Sequence, residues 1–165
     1  MRKEITGLIG SQEATFLHVI DSRDEARERE NFLYQLRNLY TQLTDRVPTP
    51  NVARLVGNNL NFILITEGTN LIATATVVFV ETAVLIKACV EDVVVHHNYR
   101  KLHLGKVLLD EAIQLARLRR CKYLQLTSKP ARPGTSCFYT KAGFELVSIA
   151  REGHPEGTNL YRLHL

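Results

Sequence analysis

The sequence predicts an α+β fold, namely a mostly antiparallel mixed sheet with a central parallel pair at a β-α-β crossover, flanked by helices. Closely spaced apolar runs between residues 61 and 95 indicate a meander, and the amphipathic segment 104–119 with the β-rich run 122–127 indicates the crossover. Of the 165 residues, 45% are hydrophobic and 23% are charged, as in globular proteins. Because the chain shows no repeat, low-complexity segment or long linker, we expect one domain, 1–165.

The first third of the chain predicts a strand and a long helix. Residues 13–20 form an apolar run typical of a strand. Apolar residues at helical spacing then predict an amphipathic helix over residues 23–43, and they are Phe32, Leu33, Leu36, Leu39, Tyr40 and Leu43. Two prolines in residues 44–50 break this helix, and residues 52–56 are compatible with a short further helix.

The middle of the chain predicts an antiparallel meander. The β-rich runs 61–66, 71–80 and 83–95 are joined by a turn at 67–70 and a tight connection at 81–82. Strands so close in sequence pair antiparallel, because parallel neighbours need a long crossover connection.

The last third of the chain predicts the crossover and a final hairpin-like pair. Residues 104–119 carry apolar side chains on one helical face and lead into the strand 122–127, which we expect to run parallel to the last strand of the meander. A second helix is predicted over 134–142, followed by an antiparallel pair of strands at 144–149 and 159–165.

Charge, hydropathy and cysteine usage narrow the classes of partner. A formal net charge of +4 suits an anionic cofactor or substrate and leaves nucleic acid as an alternative. Because acidic residues are interspersed and no basic stripe with aromatic residues appears, we expect no nucleic-acid partner. No apolar run reaches the roughly 18 residues of a membrane span, and no secretory core follows the first residues, so we expect no membrane partner and a cytoplasmic location. Three cysteines without CxxC spacing predict reduced thiols and no metal site; they are Cys89, Cys121 and Cys137.

The junction at residues 93–106 is the strongest functional signal. A Val-Val-Val run passes through a basic loop directly into the predicted helix. The first N–H groups of a helix lack helical partners, and several together favour an anion, above all a phosphate. Nearby His96, His97 and His103 lack further metal ligands at suitable spacing, so we expect them to be surface or phosphate-contacting side chains.

Three motifs together resemble the GCN5-related N-acetyltransferase (GNAT) family. The loop from Arg100 to Gly105 is similar to the family's cofactor motif, but it has His103 where the family usually has Gly. Glu-Asp-Val-Val-Val at residues 91–95 precedes the loop, and Phe-Tyr-Thr-Lys-Ala-Gly-Phe at residues 138–144 is similar to a later family signature. The first of these runs looks closest to the glucosamine-6-phosphate N-acetyltransferase branch, whereas residues 127–132 look more like other bacterial members, so the branch stays open.

The resemblance implies acetyl-CoA as cosubstrate. The residues that it assigns to the cofactor site are Val93, Val94, Val95, Arg100, Lys101, Leu102, His103, Leu104, Gly105 and Lys106. The three valines are expected to pair with the pantetheine amides as an added strand would. The backbone amides of residues 102–106 are expected to hold the pyrophosphate, so the side chain of His103 is tolerable if its φ is negative and it points away from the phosphates.

The resemblance also suggests the catalytic residues. Because Glu91 and Asp92 alternate across a strand, we expect only one of them to face the acceptor cleft, with Glu91 as the base and Asp92 as a substrate contact. The alternative is that these carboxylates only bind or orient the amine. Tyr139 is expected to donate a proton to the leaving thiolate, since phenols and thiols titrate in a similar range; the alternative is a core aromatic. Arg132 is expected to contact the acceptor, and Cys137 to be a small buried side chain rather than a nucleophile.

The resulting hypothesis is an N-acetyltransferase that moves an acetyl group directly from acetyl-CoA to a primary amine of a small molecule. An amino-sugar phosphate is slightly favoured over a polyamine, an amino acid or a protein amine. A coenzyme A-binding regulatory module without turnover is the alternative from another class. The family resemblance also predicts a homodimer.

Overall fold

We describe residues 2–4, 15–20, 30–43, 59–129, 134–148 and 158–165 of a computed structural model of the chain. In these residues eight strands form one sheet, accompanied by three α-helices. The elements are β1 (Arg2–Glu4), β2 (Thr15–Ile20), α1 (Glu30–Tyr40), β3 (Leu60–Glu67), β4 (Asn70–Glu81), β5 (Ile86–Val95), α2 (Leu104–Leu118), β6 (Tyr123–Ser128), α3 (Thr135–Lys141), β7 (Glu145–Ser148) and β8 (Asn159–His164), with a short 3-10 turn at His97–Tyr99.

The sheet has the strand order β1-β2-β3-β4-β5-β6-β8-β7. Its neighbours pair antiparallel except β5 and β6, which are parallel and are connected through α2. The predicted α+β class and the central parallel pair are therefore confirmed. The sequence analysis did not anticipate two features, the edge strand β1 and the insertion of β8 between β6 and β7.

Most predicted element bounds agree with the structure within a few residues, and one connection differs. The predicted tight connection at 81–82 is a longer turn, and β5 begins only at Ile86. The Thr82 hydroxyl donates to the carbonyl of Leu85 at 2.9 Å and accepts from the Leu85 amide at 3.1 Å, which closes the turn through a side chain. The first part of the predicted helix 23–43, before residue 30, and the short helix 52–56 lie outside the described residues.

Two apolar cores lie on opposite faces of the sheet. Helix α2 packs on one face through Leu104, Leu108, Leu109, Ala112 and Ala116. Helix α1 packs on the other face, where Leu36, Leu39 and Tyr40 join side chains of β2 to β5. Each helix thus buries one apolar stripe, as its sequence periodicity predicts.

A bulge in β5 shapes the centre of the molecule. Thr76 of β4 pairs with Glu91 and Thr74 pairs with Val94, so two residues of β5 oppose one residue of β4. One of these two, Asp92, has a φ of 51°. Strict alternation of side chains therefore fails at this point of the strand.

The parallel pair opens just before the bulge. The pairing of β5 with β6 runs from Lys87 with Tyr123 to Val90 with Leu126 and ends there, although β5 continues to Val95 and β6 to Ser128. The two strand ends therefore leave a cleft, and the edge of β5 that faces it is not paired with β6.

Candidate active site

The cleft contains a small pocket where three predicted site residues meet. Glu91, Asp92 and Tyr139 line a pocket of about 220 Å³ together with Thr127 and Ser128 from the end of β6. The prediction that only one of the two carboxylates faces the cleft is wrong, because the bulge interrupts the alternation on which it rested.

Burial raises the pKa values of both carboxyl groups, and the charge of Asp92 raises that of Glu91 further. Both residues reach solvent at the mouth of the pocket, yet surrounding protein removes part of the water around them. The pKa of Glu91 is raised above its ordinary value first by this desolvation and second by the charge of Asp92. Desolvation also raises the pKa of Asp92. Glu91 is therefore a stronger proton acceptor than an ordinary surface glutamate.

Tyr40 extends this polar cluster from the side of α1. Burial raises the pKa of its phenol far above the usual range, and the negative charge of Asp92 raises it further. Tyr40 thus stays protonated beside Asp92. Its sequence position at the end of an apolar helical stripe predicts only a core residue, so sequence analysis missed this proximity.

Helix α3 places Tyr139 at the wall of the pocket. Its side chain is buried, and its ring lies 5.2 Å from Phe138, 5.3 Å from Tyr161 and 6.3 Å from Phe144, measured between ring centroids. This aromatic cluster fixes the ring while the residue still borders the cleft. Cys137 is exposed, against expectation, because two helical residues turn it about 200° away from the buried face of Tyr139.

A second pocket, of about 410 Å³, lies at the basic loop. Its lining includes Val95, Phe138 and most of the loop residues that the sequence motif predicts, namely Arg100, Lys101, His103, Leu104, Gly105 and Lys106. Leu102 belongs to the same loop but is not part of the lining, and its side chain packs against the core on the α2 face. The valine run connects the two pockets, because Val93 lines the first and Val95 lines the second.

The loop backbone takes a conformation suited to an anion. Lys101 and His103 both have left-handed backbones, with φ values of 68° and 59°. The assumption of a negative φ at His103 is therefore wrong. His103 keeps the conformation that glycine would favour at this position, and such left-handed residues turn successive N–H groups into one concavity.

Two basic side chains of the loop have partners within the protein. Arg100 donates through Nε to the carbonyl of Val95 at 3.4 Å and through Nη2 to Oε1 of Gln42 at 3.3 Å, so it ties the loop to the end of α1. Lys106 forms an ion pair with Asp110 at 2.6 Å, and its amide already donates to the carbonyl of His103 at 2.9 Å. The amides nearest to the start of α2 are thus the better phosphate donors.

Gly105 fits closely against the aromatic wall of this pocket. A Cβ atom there would lie 3.3 Å from the ring of Phe138. Helix α2 therefore approaches α3 closely at this wall of the pocket, and a larger side chain at residue 105 would require the Phe138 ring to shift.

Replacing His103 with glycine is expected to stabilise the protein. A left-handed non-glycine residue costs about 1–3 kcal/mol, and the greater chain entropy of glycine offsets about 0.5–1 kcal/mol of the relief, which leaves a net gain of up to about 2.5 kcal/mol. Urea unfolding would measure the gain. His97→Gly is the matched control, because His97 has no left-handed backbone, and it should lower the free energy of unfolding. Equal effects of both substitutions would contradict the strain at His103.

The fold and the cleft define a GNAT-type acyltransferase class. The acetyltransferase (GNAT) family model matches residues 21–144, so the chain belongs to this family of acetyl-CoA-dependent N-acetyltransferases. Among curated protein sequences, none shows significant similarity to the chain.

Solved structures share the fold at low sequence identity. A GNAT-family protein from Desulfovibrio desulfuricans has a TM-score of 0.73 at 17% identity, covering 92% of this chain and 99% of that one. The ribosomal-protein-S18-alanine N-acetyltransferase from Escherichia coli has a TM-score of 0.67 at 17% identity, covering 90% and 93%. NAA60 from Arabidopsis thaliana, in complex with a bisubstrate analogue, has a TM-score of 0.70 at 13% identity, covering 90% and 97%. At such identities the likeness establishes the fold.

The structure thus brings together most of the predicted site. Val94 differs from its neighbours, because its side chain is buried in the core under α1 and only its backbone borders the open edge. Arg132 lies outside the described residues, so its predicted contact with the acceptor is untested. Within the described ranges, no group of three or more metal-ligating side chains occurs, and no helix has the length and apolarity to cross a membrane.

Proposed function

We propose that the cleft transfers an acetyl group directly from acetyl-CoA to a primary amine bound beside Glu91. The observation that carries the proposal is the pocket where Glu91, Asp92 and Tyr139 meet at the open edge of β5. That edge leads to the basic loop, so one continuous cleft joins an anion site to a pair of carboxylates.

The residues present fit acetyl-CoA, which supplies the activated acyl group. The unpaired edge of β5 at residues 93–95 offers backbone groups to an amide-bearing chain, as an exposed sheet edge does. The left-handed loop and the start of α2 offer N–H groups to a pyrophosphate, and the side chain of Lys101 adds positive charge. Phe138 provides an apolar wall between these regions.

Each polar residue of the pocket then has one task. Asp92 attracts the acceptor ammonium, and Glu91 takes its proton, directly or through water. The neutral amine forms the new C–N bond as the C–S bond breaks. Tyr139 gives its phenolic proton to the departing sulfur and regains one through water from the attacking nitrogen, which loses this second proton as it becomes an amide. Acceptor and donor are held in the cleft together, so no covalent enzyme intermediate is needed.

The charged residues that line the described pocket indicate which class of acceptor amine it binds. Its described lining contains two carboxylates and no lysine or arginine, which favours an amine without a phosphate near the reacting nitrogen. An amino-sugar phosphate would depend on nearby cations, namely Lys129, which is exposed next to Ser128, and Arg46 and Arg132, which lie outside the described residues. Similar folds include an alanine N-acetyltransferase of a ribosomal protein, so a protein amine is the acceptor that we favour over a small molecule.

The decisive test is the release of coenzyme A thiol from acetyl-CoA with a panel of amines. The panel would contain free-amino-terminus peptides, polyamines, amino acids and amino-sugar phosphates. We expect acceptor-dependent release, with acetylated product confirmed by mass spectrometry. Binding of coenzyme A without release on any acceptor would contradict the proposal and favour the regulatory module. A single domain over 1–165, a homodimer and a cytoplasmic location remain predictions.

Asp92→Asn is expected to move the acid limb of the pH–rate profile to lower pH. Asparagine tolerates a left-handed backbone, so the bulge should persist. Removal of the Asp92 charge lowers the pKa of Glu91, which then stays deprotonated at lower pH. Loss of the attraction for the ammonium should raise KM for the amine about tenfold. Measuring kcat/KM against pH checks this, and an acid limb that does not move would show that Glu91 does not govern it.

A further inference from the structure

A cationic cluster lies on the same face of the sheet as Glu91. The Tyr123 cluster consists of Lys87, Tyr123, Arg162 and His164. The Arg162 guanidinium carbon lies 4.4 Å from the centroid of the Tyr123 ring, and the His164 ring lies 6.2 Å from it. Lys87 is the register partner of Tyr123 on the parallel strand β5.

The strand registers show that this face continues from the acceptor pocket. Lys87 pairs with Tyr123, and Tyr123 pairs with His164, so these three side chains lie on one face. Ala88 and Val90 belong to the core under α2, which puts the alternate residues of β5, from Lys87 to Glu91, on the opposite, α1 face. The residues between, Cys89 and Gln125, are half-buried and joined by an amide-to-thiol hydrogen bond of 3.3 Å.

The positive charges of the Tyr123 cluster are not neutralised within the described part of the chain. No described carboxylate forms an ion pair with Lys87, Arg162 or His164. Glu145 is the register partner of Arg162 across β7 and β8, yet these two residues form no ion pair. Arg162 is held instead by stacking on Tyr123, and its Nε atom is buried without a hydrogen-bond partner. His164 is exposed and the other three members are half-buried.

The distance between the acceptor pocket and the Tyr123 cluster indicates which kind of ligand can reach both. Four residues of β5 separate Glu91 from Lys87, which corresponds to roughly 13 Å along an extended strand. An acceptor that places its amine at Glu91 and an anionic group at the Tyr123 cluster must span this length. A phosphorylated monosaccharide is shorter, whereas an extended polypeptide reaches the cluster with its fourth or fifth residue.

We infer that the acceptor is a polypeptide amino terminus with an acidic side chain at its fourth or fifth residue, which the Tyr123 cluster binds. The inference rests on the proposed function for the position of the amine. Charge complementarity and the continuity of the face with the pocket support it. The carboxylate would meet the half-buried side chains of Lys87 and Arg162.

Equilibrium binding of two matched peptides tests the inference independently of turnover. Both carry a free amino terminus and small residues at the first three positions. One has Asp and Glu at positions four and five, and the other has Asn and Gln. With coenzyme A present, we expect the acidic peptide to bind about tenfold more tightly, since a carboxylate that pairs with partly exposed cations contributes modestly. The double variant Lys87→Gln/Arg162→Gln should abolish the difference.

A charge-matched variant distinguishes binding by the Tyr123 cluster from a general effect of the protein's positive charge. Arg117→Gln/Arg120→Gln removes the same charge at the exposed end of α2 and should keep the tenfold difference. Equal binding of the two peptides by the unaltered protein, or equal loss in both double variants, would overturn the inference. Tighter binding of the acidic peptide without thiol release would support the Tyr123 cluster as a binding site and contradict the proposed activity. Thiol release with small amines, together with equal binding of both peptides, would support the proposed activity and overturn the inference about the cluster.

Discussion

Replacing Tyr139 with phenylalanine is expected to lower kcat about 100-fold while leaving the affinity for coenzyme A within a factor of two. The residue borders the acceptor pocket together with Glu91, and its ring is fixed by three aromatic neighbours. Phenylalanine keeps the same ring, so the loss is confined to the hydroxyl that protonates the departing thiolate. General acid catalysis typically contributes 10²–10⁴-fold, which sets the expected size.

Tyr161→Phe is the matched control for this substitution. Tyr161 belongs to the same aromatic cluster, with its ring 5.3 Å from that of Tyr139, but it does not line the acceptor pocket. It should leave kcat nearly unchanged. Steady-state kinetics and coenzyme A titration would be measured for both variants, with thermal unfolding as a check on folding. Unchanged turnover in Tyr139→Phe would eliminate the acid role and leave Tyr139 as a core aromatic.

Local periodicity was sufficient to predict most elements of the fold. The apolar alternation of β3 to β5 and the helical stripe of α2 are local patterns, and close spacing along the chain dictates antiparallel pairing. The insertion of β8 between β6 and β7 could not be predicted this way. It depends on pairing between distant segments, which sequence spacing does not specify.

Backbone conformation explains the two errors at the site. The alternation rule placed Glu91 and Asp92 on opposite faces, but a single extra residue in β5 reverses such an inference. At His103 a signal was available, because a family glycine at that position indicates a left-handed backbone. This chain has the left-handed conformation at that position and differs only in the residue, which is His103. The meeting of the motif residues at the cleft was therefore predictable, whereas the backbone dihedral angle at the bulge of β5 was not.

Replacing Glu91 with glutamine is expected to reduce kcat/KM about 100-fold below the pKa of the acceptor amine, with a smaller deficit as pH rises. Glutamine keeps the shape of the side chain and removes the base. At low pH the acceptor arrives as an ammonium, and without Glu91 its proton must leave to solvent. At high pH the free amine is abundant, so the variant should approach the rate of the unaltered enzyme.

The sign of the pH dependence distinguishes a base from a binding group. Burial and the charge of Asp92 raise the pKa of Glu91, and only its deprotonated form accepts a proton. The unaltered enzyme should thus lose activity as pH falls through this raised pKa, and Glu91→Gln should lack that limb. A deficit that stays constant from acid to alkaline pH, or one confined to KM, would show that Glu91 only orients the amine. In that case the proton would pass to solvent, and the pocket would act through position and charge alone.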